Sequence, residues 1–268
     1  MEKKLVASRK SINNWTLINM ILRSFFLQAC WNFKRMQNVG FCFSICPVIK
    51  KLWDDPLKRK EVVKRHLDFF NSHPYCVSII LGVIARLEEE ATQHEEVDIG
   101  QINKIKTGMM GPLAALGDTV YWGMFRPAVA LLGVSLIILA NPQQWWQAGL
   151  GLILFLAIYS LGHLGLRIGG VFIGYAKGIE VIKDLRRFNP QFIAHKISFF
   201  IAIVLGVVIA AYAVHKDTLI LDSNISKLVI FSIMVGVFYL GLRVKLSSTI
   251  LFYLLLVVTI LFKYLGIV

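Results

Sequence analysis

Apolar side chains recur at helical spacing from the start of the chain, but charge keeps interrupting them. Between Ile12 and Trp53 the apolar set includes Trp15, Ile18, Leu22, Phe25, Phe26, Trp31, Phe33, Phe41 and Phe43, and Arg23, Lys34, Arg35 and Asn38 break it. No stretch there reaches the roughly 20 consecutive apolar residues that cross a bilayer. The pattern predicts amphipathic helices, interfacial or packed against protein, with aromatics at head-group level and bases towards the cytoplasm. Asp54-Asp55-Pro56 opens another helix, with Asp55 as N-cap and Pro56 at the first helical position. Leu57, Val62, Val63, Leu67 and Phe70 form its apolar stripe, and it is expected to stop at Asn71-Ser72-His73-Pro74. The apolar run from Tyr75 to Leu87 is too short to span and reads as a re-entrant segment or half-helix. Glu88, Glu89 and Glu90 follow it, then Glu95, Glu96 and Asp98. The triplet reads either as a solvated edge facing basic surface or as a source of one carboxylate turned back into a cavity.

The stretch from Lys106 to Ser135 is small and apolar, yet it holds a lone acid, Asp118, a lone base, Arg126, and the prolines Pro112 and Pro127. With Gly108, Gly111, Gly117 and Gly123, these point to broken helices. A charge at membrane depth marks a polar site by default, and the competing reading is a glycine-packed hairpin in which Asp118 and Arg126 neutralise each other. Crossings are predicted at Thr119–Ala140, Ala148–Ile168, Ile197–Val214, Leu228–Leu242 and Thr249–Val268. The uncharged Asn141–Gln147 loop ends in Trp145-Trp146, an external belt, and the basic Lys177–Lys196 loop is a cytoplasmic return. Gly170, Gly174 and Gly178, with Gly165 and Gly169, are placed for close helix packing. His163 and His195 are isolated and read as packing groups.

The expected fold is mainly α: an integral membrane helical protein with an amphipathic, re-entrant N-terminal half and about five transmembrane helices. Residues 1–70 form a basic amphipathic helical cytoplasmic or interfacial region, 71–135 a broken-helix or re-entrant core, and 136–268 a transmembrane bundle. Composition agrees, since a chain 56% hydrophobic and 17% charged is too apolar for an ordinary soluble domain. Its formal charge of +13 is uneven: residues 1–66 hold fourteen Lys or Arg against Glu2, Asp54, Asp55 and Glu61. That bias places the N-terminus in the cytoplasm, and five crossings then put the C-terminus outside. No nucleic-acid motif accompanies the charge. Cys30, Cys42, Cys46 and Cys76 lack paired metal spacing and read as reduced thiols, and no cleavable signal peptide is visible. No phosphate-binding loop, nucleophile elbow or metal cluster is present in the sequence, so no cofactor, metal or self-contained catalytic site is expected.

Four segments in one order carry a family resemblance: FLQACWNFKRMQNVGFCFSICPVIKKLW (Phe26 to Trp53), RHLDFFNSHPY (Arg65 to Tyr75), ILGVIARLEEE (Ile80 to Glu90) and KTGMMGPLAALGDTVYWGMFRPAVALLGVS (Lys106 to Ser135). Together with GGVFIGYAKGIE they resemble the enzyme IID membrane component of the mannose/fructose/sorbose family of the bacterial sugar phosphotransferase system. Ser72, Ala115 and Thr119 stand where the common family pattern has Thr, Gly and Ser. The resemblance implies a multi-pass subunit in the bacterial cytoplasmic membrane that pairs with a separate IIC protein in a trimeric assembly. Together they would carry a hexose that phosphorylated IIB or IIAB phosphorylates on the cytoplasmic side. The IID chain would carry no phosphorylated residue, so His73 reads as structural or ligand-facing. The candidate substrate residues are Asn71, His73, Glu88, Glu89, Asp118 and Arg126, forming or bracing the sugar path. The alternative is a scaffold subunit that stabilises IIC and docks IIB.

Overall fold

A computed structural model describes residues 11–93, 99–140, 145–187 and Val257. The chain divides into two units, 1–205 and 206–268, and all the named elements belong to the first. Among the described residues these are α1 (Asn14–Ser24), α2 (Asn38–Leu52), α3 (Pro56–His66), α4 (Val77–Gln93), α5 (Ile99–Gly117), a π-helical segment (Asp118–Phe125), α6 (Arg126–Leu139), α7 (Trp145–Lys177) and α8 (Glu180–Arg187). No strand forms among them; Met36 makes only isolated bridges to Asn32 and Phe70. The mainly α fold is as the sequence pattern predicts.

Local chemistry explains the N-terminal helices. The Asn13 side chain caps α1 by accepting from the Thr16 N–H at 2.9 Å. Asp55 caps α3 by accepting from the Leu57 N–H at 2.9 Å, with Pro56 in the first turn. Pro47 lies inside α2 and has no N–H to give the Phe43 carbonyl, which receives the Arg23 guanidinium at 3.5 Å instead. α3 ends at His66, five residues before the expected break, because Leu67 and Phe70 leave the helix to pair with the start of α2. The Leu67 carbonyl accepts from Asn38 Nδ2 at 2.6 Å, and the Phe70 carbonyl from the Gln37 N–H at 2.8 Å. Met20, Phe41, Ile45, Phe70, Ile80 and Ile84 are buried in the core that joins these helices to α4.

Two expectations about the middle of the chain need correction. α4 runs without interruption through Glu88–Glu90, which sit within the helix and not beyond its end, because each acid finds a partner on or beside it. Lys106–Ser135 is not broken: helix continues from Ile99 to Leu139. Pro112 lies on an exposed face of α5, which leaves room for its ring within the helix. Ahead of Pro127 the turns widen, and the Arg126 N–H reaches the Tyr121 carbonyl five residues back, which accommodates the ring.

Among the described residues two helices are long and apolar enough to cross a membrane, Gly100–Ile137 and Trp145–Lys177. The second exceeds the predicted Ala148–Ile168 at both ends, since Trp145 and Trp146 open it and Arg167 is absorbed within it. In its most apolar window only 6% is buried inside the protein, so that surface requires lipid or a partner. The predicted crossings after Ile197, along with His195, Glu95, Glu96 and Asp98, lie outside the described residues.

α4 and α7 meet backbone to backbone. A Cβ on Gly82 would lie 2.2 Å from the Val171 carbonyl oxygen, and one on Gly174 would lie 2.4 Å from that of Ile79. Gly170 is as tightly placed against Ser78, but Gly165 and Gly169 face open space. Gly178 is not a packing glycine; at φ +54 it ends α7 in the left-handed region. Replacing Gly82 or Gly174 by Ala should therefore destabilise the protein by about 1–3 kcal/mol, while Gly165→Ala should stay within about 0.5 kcal/mol. Thermal melts of the purified variants in detergent check this, and equal losses at the three positions would contradict it.

Candidate functional site

The segment between α3 and α4 is pinned from two sides. The Ser72 N–H donates to Gln37 Oε1 at 3.1 Å, and the Ser72 hydroxyl donates to the Met110 carbonyl of α5 at 3.0 Å. The His73 carbonyl then receives the Val77 N–H at 3.0 Å and starts α4. Asn71 is exposed, and its N–H contacts Met110 Sδ at 3.5 Å.

His73 is buried against the start of the π-helical segment. A Cβ on Gly117 would lie 2.1 Å from the His73 ring, so the glycine makes room for the imidazole. The ring centroid is 4.7 Å from Trp122, 5.0 Å from Tyr75 and 6.1 Å from Tyr121. His73 Nδ1 accepts from the Tyr75 N–H at 3.3 Å, which assigns the proton of the neutral ring to Nε2. That Nε2 is buried and has no partner. Burial lowers the His73 pKa to about 4, with Asp118 opposing and Arg167 reinforcing the shift, so the ring is neutral near pH 7.

Beyond His73 an aromatic layer joins the π-helical segment to α7. The Tyr75 and Tyr159 hydroxyls are 2.8 Å apart, and the Tyr121 hydroxyl donates to the Gly162 carbonyl at 3.3 Å. His163 lies 4.8 Å from the Tyr75 ring. Asp118 and Arg126 are both exposed, and no ion pair joins them. Their fields act on different groups, Asp118 on His73 and Arg126 on Tyr75.

Glu88 and Glu89 are committed elsewhere. Glu88 is fully buried; it accepts both from Arg65 and, at 2.9 Å, from His66 Nε2. Burial pushes its carboxyl up, but the hydrogen bonds from His66 and Arg65, with the Arg65 charge, outweigh it and hold the pKa below the usual range. Burial likewise lowers the His66 pKa despite Glu88, so His66 donates as a neutral ring and Arg65 supplies the counter-charge. Lys106 Nζ reinforces this node by donating to the Arg65 carbonyl at 3.1 Å. Glu89 accepts from the Ile12 N–H at 2.8 Å and from the Tyr175 hydroxyl, linking the chain before α1 to α4 and α7. Of the six residues singled out from sequence, His73 and Asp118 therefore share one neighbourhood with Arg126 at its margin, while Glu88 and Glu89 brace the helices. Tyr75, Tyr121, Trp122, Tyr159 and Arg167 were not singled out. Only Arg167 carried a signal, as a lone base inside an apolar span.

A helical membrane protein with a polar, aromatic-walled site beside a π-helical turn is the class these features define. Comparison with known proteins makes the assignment specific. The family profile described as "PTS system mannose/fructose/sorbose family IID component" matches residues 11–268, and the chain belongs to that family. It is 41% identical over 179 residues to the mannose-specific EIID component of Escherichia coli (strain K12), covering 66% of this chain and 61% of that protein. It is 35% identical over 212 residues to the fructose permease IID component of Bacillus subtilis (strain 168), covering 79% of this chain and 73% of the relative. The chain thus spans about three fifths of the E. coli relative's length. Two solved structures, each 31% identical and covering 96% of this chain and 98% of theirs, share the fold. One, with a TM-score of 0.58, is the mannose transporter ManYZ in complex with microcin E492, and the other, with a TM-score of 0.68, is described as a membrane protein.

The buried neutral histidines make stability pH-dependent in a defined direction. His73 falls from 6.5 in the unfolded chain to about 4 in the fold, and His66 is also lowered. Between those values the unfolded chain binds protons that the folded chain does not, so stability falls as pH drops below about 6.5. Melting temperatures at pH 7.5, 6 and 5 should decline in that order, and His73→Gln should flatten the decline. A wild-type melting temperature constant across this range would contradict the assignment.

Proposed function

We propose that this chain is the IID subunit of a mannose-family sugar phosphotransferase system, forming with IIC the path of a hexose that is phosphorylated by IIAB. The observation that carries the reading is the buried, unpartnered Nε2–H of neutral His73, set among Tyr75, Tyr121 and Trp122 beside Asp118. A hexose presents hydroxyls around a face of C–H groups, which calls for polar side chains next to aromatic rings. In this reading His73 donates to a sugar hydroxyl, Asp118 accepts from one, and Asn71 and Arg126 complete the polar set. Glu88 and Glu89 hold α4 in place behind it. π-helical turns recur at functional sites, and the one at Asp118–Phe125 carries the acid.

The wider arrangement follows from charge and family. Residues 1–70 form the basic cytoplasmic or interfacial region, 71–135 the core with the sugar site, and 136–268 the transmembrane bundle, with the N-terminus inside, the C-terminus outside and about five crossings of the bacterial cytoplasmic membrane. Lys58, Lys60 and Lys64, exposed on α3, suit docking of phosphorylated IIB by charge. Pairing with IIC in a trimeric assembly is what the family resemblance implies. A scaffold role is the second reading, favoured by the complete use of Glu88 and Glu89 in ties between elements.

Co-expression with IIC and IIAB, followed by sugar uptake and co-purification, separates the two. Asp118→Asn and His73→Gln should leave co-purification intact and lower uptake roughly 10- to 100-fold, as expected for losing a hydrogen bond to or from a charged or buried group. Glu88→Ala should instead reduce assembly, since breaking a largely buried ion pair costs about 3–5 kcal/mol. Wild-type uptake by assembled Asp118→Asn and His73→Gln complexes would favour the scaffold.

A further inference from the structure

Arg167 lies in the middle of α7 and is buried, yet no carboxylate pairs with it among the described residues. Its two terminal nitrogens donate to oxygens of two other elements, while Nε is buried without a partner. One terminal nitrogen donates to the Ser24 carbonyl at 2.6 Å and meets the Ser24 hydroxyl at 3.3 Å. The other donates to the Pro74 carbonyl at 3.1 Å. Phe25 and Tyr75 flank it, with ring centroids 4.5 and 5.7 Å from Cζ. Ser24 closes α1, where carbonyls lack helical partners and the negative end of the helix dipole lies, so the cation has a compensating field without an acid. Pro74 stands between His73 and Tyr75.

We propose that Arg167 is the positioning residue of the sugar site: by holding the Pro74 carbonyl against the end of α1, it sets where His73 and Tyr75 lie. The inference rests on the sugar-path reading for its effect on transport, but not for its effect on the loop. A planar fork that divides its donors between Ser24 and Pro74 is what the task requires, and a lysine ammonium, with one nitrogen, keeps the charge but cannot reach both as a fork does. The bond leaves Pro74, which has no N–H of its own, fixed through its only backbone polar group.

The test uses the assembled complex with IIC and two readouts on Arg167→Lys. Diethyl pyrocarbonate modification of His73, followed by peptide mass spectrometry, reports whether the loop has moved, because His73 is buried in the wild type. Modification should accelerate roughly tenfold, and the KM for uptake should rise roughly tenfold with little change in maximal rate, the scale of one lost charge-assisted hydrogen bond. Unchanged labelling of His73 in an assembled Arg167→Lys complex overturns the positioning role. Faster labelling with an unchanged KM upholds the hold on the loop and overturns the sugar-path reading instead. If Arg167→Lys does not assemble, Phe25→Leu, which removes the ring flanking the guanidinium, should raise both quantities by a smaller factor, and no change in either overturns the proposal.

Discussion

The backbone contact between α4 and α7 is the constraint from which the rest follows. Gly82 on one helix and Gly170 and Gly174 on the other remove the side chains that would keep them apart. Once the axes are that close, polar groups are forced into reach across the seam. Glu89 meets the Tyr175 hydroxyl, Ser78 donates to the Leu166 carbonyl at 3.1 Å, and the Arg167 guanidinium meets the Pro74 carbonyl. Tyr75, just ahead of α4, reaches Tyr159 in the same way. Small residues thus provide the proximity, and hydrogen bonds then fix the register, the division of labour expected where apolar side chains gain little from leaving lipid.

Charge is handled by commitment. Glu88 and Lys106, charged groups buried in the N-terminal half, are held by groups that are equally buried or nearly so: Glu88 by Arg65 and His66, Lys106 by the Arg65 carbonyl. Breaking one such group strands its partners, which is why these residues behave as structure even though they are the conspicuous acids and bases of the sequence. Asp118 and Arg126 are uncommitted by comparison. They flank a stretch of π-helix whose widened turns also absorb Pro127, so the irregular backbone and the free charges occur together.

Much of the architecture was legible because the signals were local. Asp55-Pro56 marked the start of α3, the interrupted apolar spacing marked α1 and α2, and Gly170 and Gly174 marked a packing face. What could not be read locally was whether a punctuating residue would find compensation elsewhere in the fold. Pro112 and Pro127 looked like breaks, but an exposed face and a π-helical turn absorb them. Glu88 looked like a ligand group because its partners Arg65 and His66 are more than twenty residues away in sequence. Gly165 and Gly169 share the spacing of Gly170 and Gly174 but face open space, so spacing alone could not say which stripe would be used. The aromatic layer was hidden for the same reason: Tyr75, Tyr121 and Tyr159 meet only when α4, the π-helical segment and α7 are assembled.

Asp118 and Arg126 carry one consequence beyond this chain's own contacts. Both are exposed, and both lie within the apolar helical stretch Gly100–Ile137. A charged side chain facing hydrocarbon is costly, and such groups are retained where they face protein or a wet cavity. The described residues leave this face of the π-helical segment uncovered, and the apolar window of α7 is also almost wholly uncovered. The two uncovered surfaces make different demands, since an apolar helix is content in lipid and a charged one is not. A charged face of that kind calls for protein or water against it, and the buried, unpartnered Nε2–H of His73 lies close to Asp118.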